Sequence, residues 1–364
     1  MPRTPLYTVH ERLGAHFAEY EGWVMPSHYG SPGEEARAVR VGCGVSDLSH
    51  RGKLFMRGKD AGRFLQGMVT NDVLGLEPFR SAYAAILTPK GRMVSDLTIY
   101  RHPDHFLLDV EPGMGGRVRD YLLKYRLSFK AEIEDATEAL ALVSLCGAKA
   151  GDVARAVFEE AYLPDEGAFV EARLGGADVI VAGVNRIGEK GFDIYAPAAC
   201  AEGVWEALAE AGGAFGIRPF GMEAMEVLRV EAGIPRFGVD MGEDTIPLEA
   251  GIDHAISYEK GCYVGQEVVA RIHWRGHVNR KLVGFTFSST MPPRAGARVK
   301  HGERDVGYIT SSIVSPHVGG PIALGYIRRE LTSPGTPVMV EVEGGVVQAA
   351  VASTPFVRAR DQGS

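Results

Sequence analysis

Three stretches of this 364-residue chain carry residue types that could do chemistry. The first is RMVSDLTIY at residues 92–100, which places Asp96 in the middle of an apolar strand. Alternation puts Met93, Leu97 and Ile99 on one face and Val94, Asp96, Thr98 and Tyr100 on the other. A carboxylate is disfavoured in mid-strand. Either that second face lies in solvent, or the carboxylate is placed for use. The second stretch is KGCYVGQE at 260–267, with Cys262 just ahead of a helix expected to begin at Gln266. A helix N-terminus and the neighbouring Lys260 would favour a thiolate. The alternative is a small cysteine packed in a loop. The third is RIHWRGHVNRK at 271–281, where Arg271, Arg275, Arg280 and Lys281 form a cationic run. It reads as a solvated face or as an anion-steering patch. His273 and His277 are four residues apart, but Gly276 between them weakens a helical metal pair.

Composition narrows the classes. Hydrophobic residues make up 45% and charged residues 23%, the balance of a globular chain. Thirty-nine Lys and Arg face 46 Asp and Glu, a net charge of -7, which argues against nucleic acid as a partner of the whole surface. The four cysteines, Cys43, Cys146, Cys200 and Cys262, have no paired spacing, so neither a disulfide framework nor a zinc site is expected. No phosphate loop, HExxH helix or GxSxG elbow occurs. Gly113-Met114-Gly115-Gly116 lacks the dinucleotide spacing and reads as a surface turn. The absence of a long apolar run predicts no membrane span or signal peptide, and a cytoplasmic protein.

The elements that must position these residues follow from periodicity. Leu13, Phe17 and Tyr20 suggest a helix over 9–21, and 34–41 a short one ended by Gly42 and Gly44. Strands are expected at 52–57, 81–87, 92–100 and 105–112, with helices after Asp60, which can cap, and over 117–125. Further strands fall at 140–146 and 178–183, and helices at 149–161, 200–211 and 221–232. Beyond residue 278, LVGFTF, DVGYITS, IALGYI, PVMVEV and VVQAAVAS describe a small β-barrel or sandwich. The series is α+β.

Taken together, TPLYTVHERLGAHFAEYEGWVMPSHYG, SDLSH, QGMVTNDV, SDLTIY, GIRPFGMEAMEVLRVEAG and GYITSSIVSPHVGGPIALGYI resemble the glycine-cleavage T-protein superfamily, in order along nearly the whole chain. KGCYVGQE is similar to the hallmark of its YgfZ branch, folate-binding proteins linked to iron–sulfur cluster maintenance and tRNA modification. The resemblance implies a three-domain cloverleaf around a folate pocket. Its parts would be a discontinuous first domain (1–48 and 137–277), an inserted ferredoxin-like α+β domain (49–136) and a C-terminal β-barrel (278–364).

The resemblance also implies tetrahydrofolate as the cofactor. The activity it implies is an aminomethyl or other one-carbon transfer to folate, from a lipoylated carrier protein. The YgfZ branch implies iron–sulfur client proteins instead. Asp96 matches the T-protein aspartate near folate N5, and Cys262 the YgfZ cysteine. Tyr83 and Tyr100 match pocket aromatics. Asp193 matches a pterin-binding acid, and Glu189 the adjacent acidic position, where a structural role is the alternative. Two positions depart: Met225 stands where a pocket arginine is usual, and Glu111 where an asparagine is.

Overall fold

The computed structural model describes residues 1–158 and 163–358. The chain opens with α1 (Tyr7–Arg12), then the hairpin β1 (His16–Tyr20) and β2 (Trp23–His28). This corrects the helix expected over 9–21. Gly14 takes a left-handed φ of 74° and ends α1. Glu21 (φ 47°) and Gly22 (φ 82°) form a two-residue turn with both φ positive, the geometry that matches strand twist and joins Tyr20 to Trp23. Next come α2 (Pro32–Val41) and the short strand β3 (Gly44–Asp47).

Seven consecutive elements follow: β4 (Gly52–Arg57), α3 (Ala61–Met68), β5 (Arg80–Leu87), β6 (Met93–Arg101), β7 (His105–Val110), α4 (Gly115–Arg126) and β8 (Glu132–Asp135). Their strands form one antiparallel sheet in the order β5-β6-β7-β4-β8. Ala61, Phe64, Leu65 and Met68 recur at helical spacing and bury one face of α3 against Leu54, Met56 and Leu108. Each such fully buried aliphatic or aromatic side chain contributes about 1.5–3 kcal/mol. Asp60 sits at the N-cap of α3 without bonding it. Its Oδ2 instead accepts from the backbone N–H of Lys130 (2.9 Å). The glycine pair Gly115-Gly116, expected in a surface turn, opens α4.

The chain then builds β9 (Leu140–Cys146), α5 (Ala150–Val157), β10 (Phe169–Leu174), β11 (Ala177–Val184), β12 (Gly191–Pro197), α6 (Ala201–Gly212) and β13 (Arg218–Pro219). These strands join β3 in a six-stranded sheet, β10-β11-β12-β9-β3-β13. Residues 159–161 of the helix expected over 149–161 lie outside the described residues. Three helices lead on: α7 (Met222–Ala232), α8 (Pro247–Ala250) and α9 (Gln266–Arg275). Helix α7 is buried on nearly every side, touching α2, β2 and the C-terminal strands.

Six strands then close a barrel: β14 (Arg280–Phe287), β15 (Arg298–His301), β16 (Arg304–Ser315), β17 (Gly320–Arg328), β18 (Pro337–Val342) and β19 (Gly345–Ala352). Its core holds Phe285, Val299, Ile309 and Val340. Val230 of α7 packs on Ile322 and Leu324 at the seam. Among the described residues, no helix is long and apolar enough to cross a membrane.

Candidate functional site

A cavity of about 750 Å³ opens where the two sheets, α7 and the barrel meet. It lies within the range of small-molecule pockets. Its lining runs from Leu48, after β3, to Pro355, after the last barrel strand.

Strand β6 brings Asp96 into it. The expected alternation fails at one point. Leu87 pairs with Met93 while Ile86 pairs with Ser95, so a bulge at Val94 shifts the phase. Val94 therefore joins Leu97 and Ile99 in the core beneath the sheet, and Met93 turns to the opposite face. Asp96 does not face solvent; the residue is 6% exposed and lines the cavity. Its Oδ2 accepts a hydrogen bond from Tyr83 Oη (2.7 Å) on the neighbouring strand. Its Oδ1 is buried with no partner among the described residues, a costly state for a polar atom unless a ligand relieves it. The Tyr83 ring stacks on His254, with centroids 5.3 Å apart.

Electrostatics divide the cavity acids. Burial, reinforced by the charge of nearby Glu111, pushes the Asp96 carboxyl up to about 7, against the weaker pull of Tyr83 and Arg51. Burial also acts on Glu111, but the guanidinium of Arg51, hydrogen-bonded to its Oε1, outweighs it and holds Glu111 below the usual range. One acid is thus set to carry a proton beside one that stays ionised. Arg51 is itself fixed by its Nε bond to Asp109 Oδ1 (2.7 Å). Asp109 also accepts from Tyr195 Oη (2.6 Å) and faces Arg186 Nη2 at 3.4 Å. Burial lowers His50, on the cavity wall beside Arg51, to about 4, so its imidazole is neutral at physiological pH.

The structure gathers Tyr83, Asp96 and Tyr100 on this cavity, together with Glu111 and Met225, and leaves out Asp193, Glu189 and Cys262. Asp193 is fully buried, accepting from Ser144 Oγ (2.7 Å) and Arg186 Nε (2.7 Å). Glu189 pairs with Arg40 Nη1 at 2.7 Å. Neither lines the cavity; internal cations hold both.

Cys262 is exposed and lies outside it. Lys260, expected to activate that thiol, points elsewhere. Its ammonium donates to the carbonyls of Gln66 (2.7 Å), Val69 (2.6 Å) and Asn71 (2.8 Å), at the C-terminal end of α3. The cationic run is also divided: Arg271 and Arg275 stay exposed on α9, while Arg280 turns inward to Asp244 and Glu249.

Arg51, His254 and Arg236 line the cavity and were not singled out from sequence. His50 and Arg51 directly follow SDLS, so their place in that motif was the available signal.

The KGCYVGQE segment acts as a clamp. Lys260 ties it to α3, and Gly265, at φ 88°, lies against the turn joining β5 to β6. A Cβ at Gly265 would meet Thr88 O at 2.7 Å, whereas one at Gly261 would meet nothing. We therefore expect Gly265→Ala to cost about 1–3 kcal/mol through backbone strain and overpacking. Gly261→Ala should stay within about 0.5 kcal/mol. Urea midpoints of the two variants check this contrast, and equal midpoints would refute it.

Residues 6–260 match the family described as the GCVT N-terminal domain, and residues 280–358 the glycine cleavage T-protein C-terminal barrel domain. An aminomethyltransferase of Pelodictyon phaeoclathratiforme is 34% identical over 362 residues, covering 98% of this chain and 99% of that protein. An aminomethyltransferase of Caldanaerobacter subterraneus is 30% identical, covering 98% and 96%. The crystal structure of glycine cleavage system aminomethyltransferase T from Bartonella henselae superposes with a TM-score of 0.89 at 28% identity, over 98% of each chain. Family matches over both parts of the chain, full-length relatives and a matching fold agree: the chain belongs to the glycine cleavage T-protein family.

Proposed function

We propose that this protein is a tetrahydrofolate-dependent aminomethyltransferase. The observation that carries the reading is Asp96: a buried carboxyl with one oxygen held by Tyr83 and the other, on a cavity of ligand size, without a partner among the described residues. The relatives named aminomethyltransferase support it. The cavity residues suit a reduced folate. Tyr83 and Tyr100 offer aromatic walls for flat rings, and the free Asp96 oxygen offers a partner for a ring nitrogen. Bound tetrahydrofolate would supply the nucleophilic nitrogen that accepts the one-carbon unit. The donor would be an aminomethyl group on a lipoylated carrier protein.

Asp96 then has two tasks. Near neutral pH it holds a proton that a departing amine requires. Once ionised, it faces the positive charge that develops at the reacting centre, in a site shielded from water. Tyr83 fixes the carboxyl orientation through Oδ2. Arg51 keeps Glu111 ionised, which in turn keeps the proton on Asp96.

Tetrahydrofolate should raise the melting temperature in a thermal-shift titration, by mass action worth about 2.7 kcal/mol at a hundredfold excess over Kd. No stabilisation at millimolar tetrahydrofolate would overturn the reading, as would failure to transfer an aminomethyl group from a lipoylated carrier.

The exposed Cys262 in a YgfZ-like motif favours a second reading. In it the protein is a folate-dependent factor for iron–sulfur cluster assembly or repair and for tRNA modification, acting on iron–sulfur client proteins. Cys43 and Cys146 are buried, and burial pushes both thiols up, Cys146 to about 12. Competitive alkylation with peptide mapping should therefore label Cys262 well ahead of both. Under the transferase reading, Cys262→Ala keeps full aminomethyl transfer. Under the second reading, it loses support of an iron–sulfur client.

A further inference from the structure

A second concavity, of about 430 Å³, lies outside the central cavity and shares no lining residue with it. Its walls come from Arg92 just before β6, the segment carrying Asp244 and Glu249, and barrel strands β14, β16 and β17. Three guanidinium groups, of Arg92, Arg280 and Arg328, face two carboxylates there, Asp244 and Glu249.

Those carboxylates are already committed, and Arg92 Nη1 also donates to the Asp244 carbonyl and lies 3.8 Å from Glu249 Oε2. Arg280 Nη2 takes Asp244 Oδ2 at 3.1 Å and Glu249 Oε2 at 3.3 Å. Arg280 and Arg328 are direct cross-strand partners on β14 and β17, a like-charge pairing that destabilises a sheet. Arg328 has no carboxylate partner among the described residues. Tyr308 Oη accepts from Arg280 Nη1 (2.7 Å), which leaves its own hydroxyl proton free to donate into the pocket. An uncommitted guanidinium, a free hydroxyl donor and a surplus positive charge in one recess are what an oxyanion requires.

We propose that this recess is an oxyanion site, taking a phosphate or carboxylate group between Arg328, Arg92 and the Tyr308 hydroxyl. An occupant relieves the Arg280–Arg328 repulsion. It also joins barrel residues Tyr308 and Arg328 to Arg92, the residue just before the strand that carries Asp96. The site does not depend on the transferase reading, because no central-cavity residue contributes to it.

The test is isothermal titration of the full-length protein with inorganic phosphate and, separately, with glutarate, with sodium chloride matching ionic strength throughout. Arg328 is exposed, so Arg328→Gln should fold; Arg92→Gln is the second variant and Arg236→Gln, in the central cavity, the control. The wild type should bind at least one anion. Arg328→Gln should weaken that binding by about tenfold or more, Arg92→Gln should weaken it less, and Arg236→Gln should leave it unchanged. Whichever anion binds identifies the group as phosphate or carboxylate. The proposal is overturned if neither anion binds above the chloride control, if Arg328→Gln binds as the wild type does, or if only Arg236→Gln loses binding.

Discussion

Asp96→Asn should lower aminomethyl-transfer turnover by about 10²–10³-fold while changing the Kd for tetrahydrofolate only a few-fold. The amide keeps the shape and can still accept from Tyr83 Oη, so ligand positioning survives. It cannot carry the transferable proton or face a developing cation as a carboxylate. A change confined to kcat identifies an interaction made only in the transition state. Equal losses in turnover and affinity would make Asp96 a ligand-holding group and nothing more.

The same substitution has a signature in stability. Asp96 is raised in the folded protein to about 7, above the ordinary carboxylate value. Between those two pH values the native state binds more protons than the unfolded state, so this group lowers stability as pH rises through that window. Asp96→Asn removes that slope. The variant should match or exceed the wild type in stability above neutral pH, as measured by urea midpoints from pH 4 to 8. A parallel pH profile in the two proteins would refute this.

The largest loss of stability is expected from Asp109→Ala. Asp109 is fully buried and joins Arg51, Arg186 and Tyr195. Removing it leaves two mostly buried guanidinium groups, 11% and 19% exposed, short of a counter-charge, against about 3–5 kcal/mol for a fully buried pair. Arg186 keeps Asp193 and Arg51 keeps Glu111, which places the cost toward the lower part of that range. Asp109→Asn, which retains one acceptor, should lose less. Denaturant midpoints give the comparison. A loss below about 1 kcal/mol would show that the neighbouring acids suffice and that Asp109 is dispensable. Losing Asp109 also frees Arg51, so transfer activity in the folded fraction of Asp109→Ala should fall as well.

Much of the scaffold was legible because its patterns are local. Gly52–Arg57 and Leu140–Cys146 form strands with the expected bounds, and α7 (Met222–Ala232) starts one residue inside the helix expected over 221–232. Elsewhere local pattern misled. Phe17 and Tyr20 mimic a helical face, yet Gly14 and the Glu21-Gly22 turn impose a hairpin. In β6 a single bulged residue, Val94, separates Met93 from the face that alternation assigns it. The resemblance pointed to Tyr83, Asp96 and Tyr100, and the fold brings these three to one cavity. It could not show that Arg186 and Arg40 hold Asp193 and Glu189, because those pairings depend on how strands meet in space. The Arg51–Glu111 pair, sixty positions apart, left no periodic trace. Lys260 and Cys262 are close in sequence, but the lysine serves three carbonyls of another segment.

The cavity lining extends from Leu48 to Pro355, and the barrel beside it closes only when β19 pairs with β14. During synthesis, Asp96 and Tyr83 leave the ribosome long before that last strand exists. A nascent chain therefore carries the Asp96 carboxyl without an enclosure for it. Ligand capture has to wait until the barrel is made, and a product stopped before β19 would hold the strand that carries Asp96 yet offer no chamber. Premature termination in the last few dozen residues should then damage ligand binding more than the substitution of Asp96, which acts on turnover.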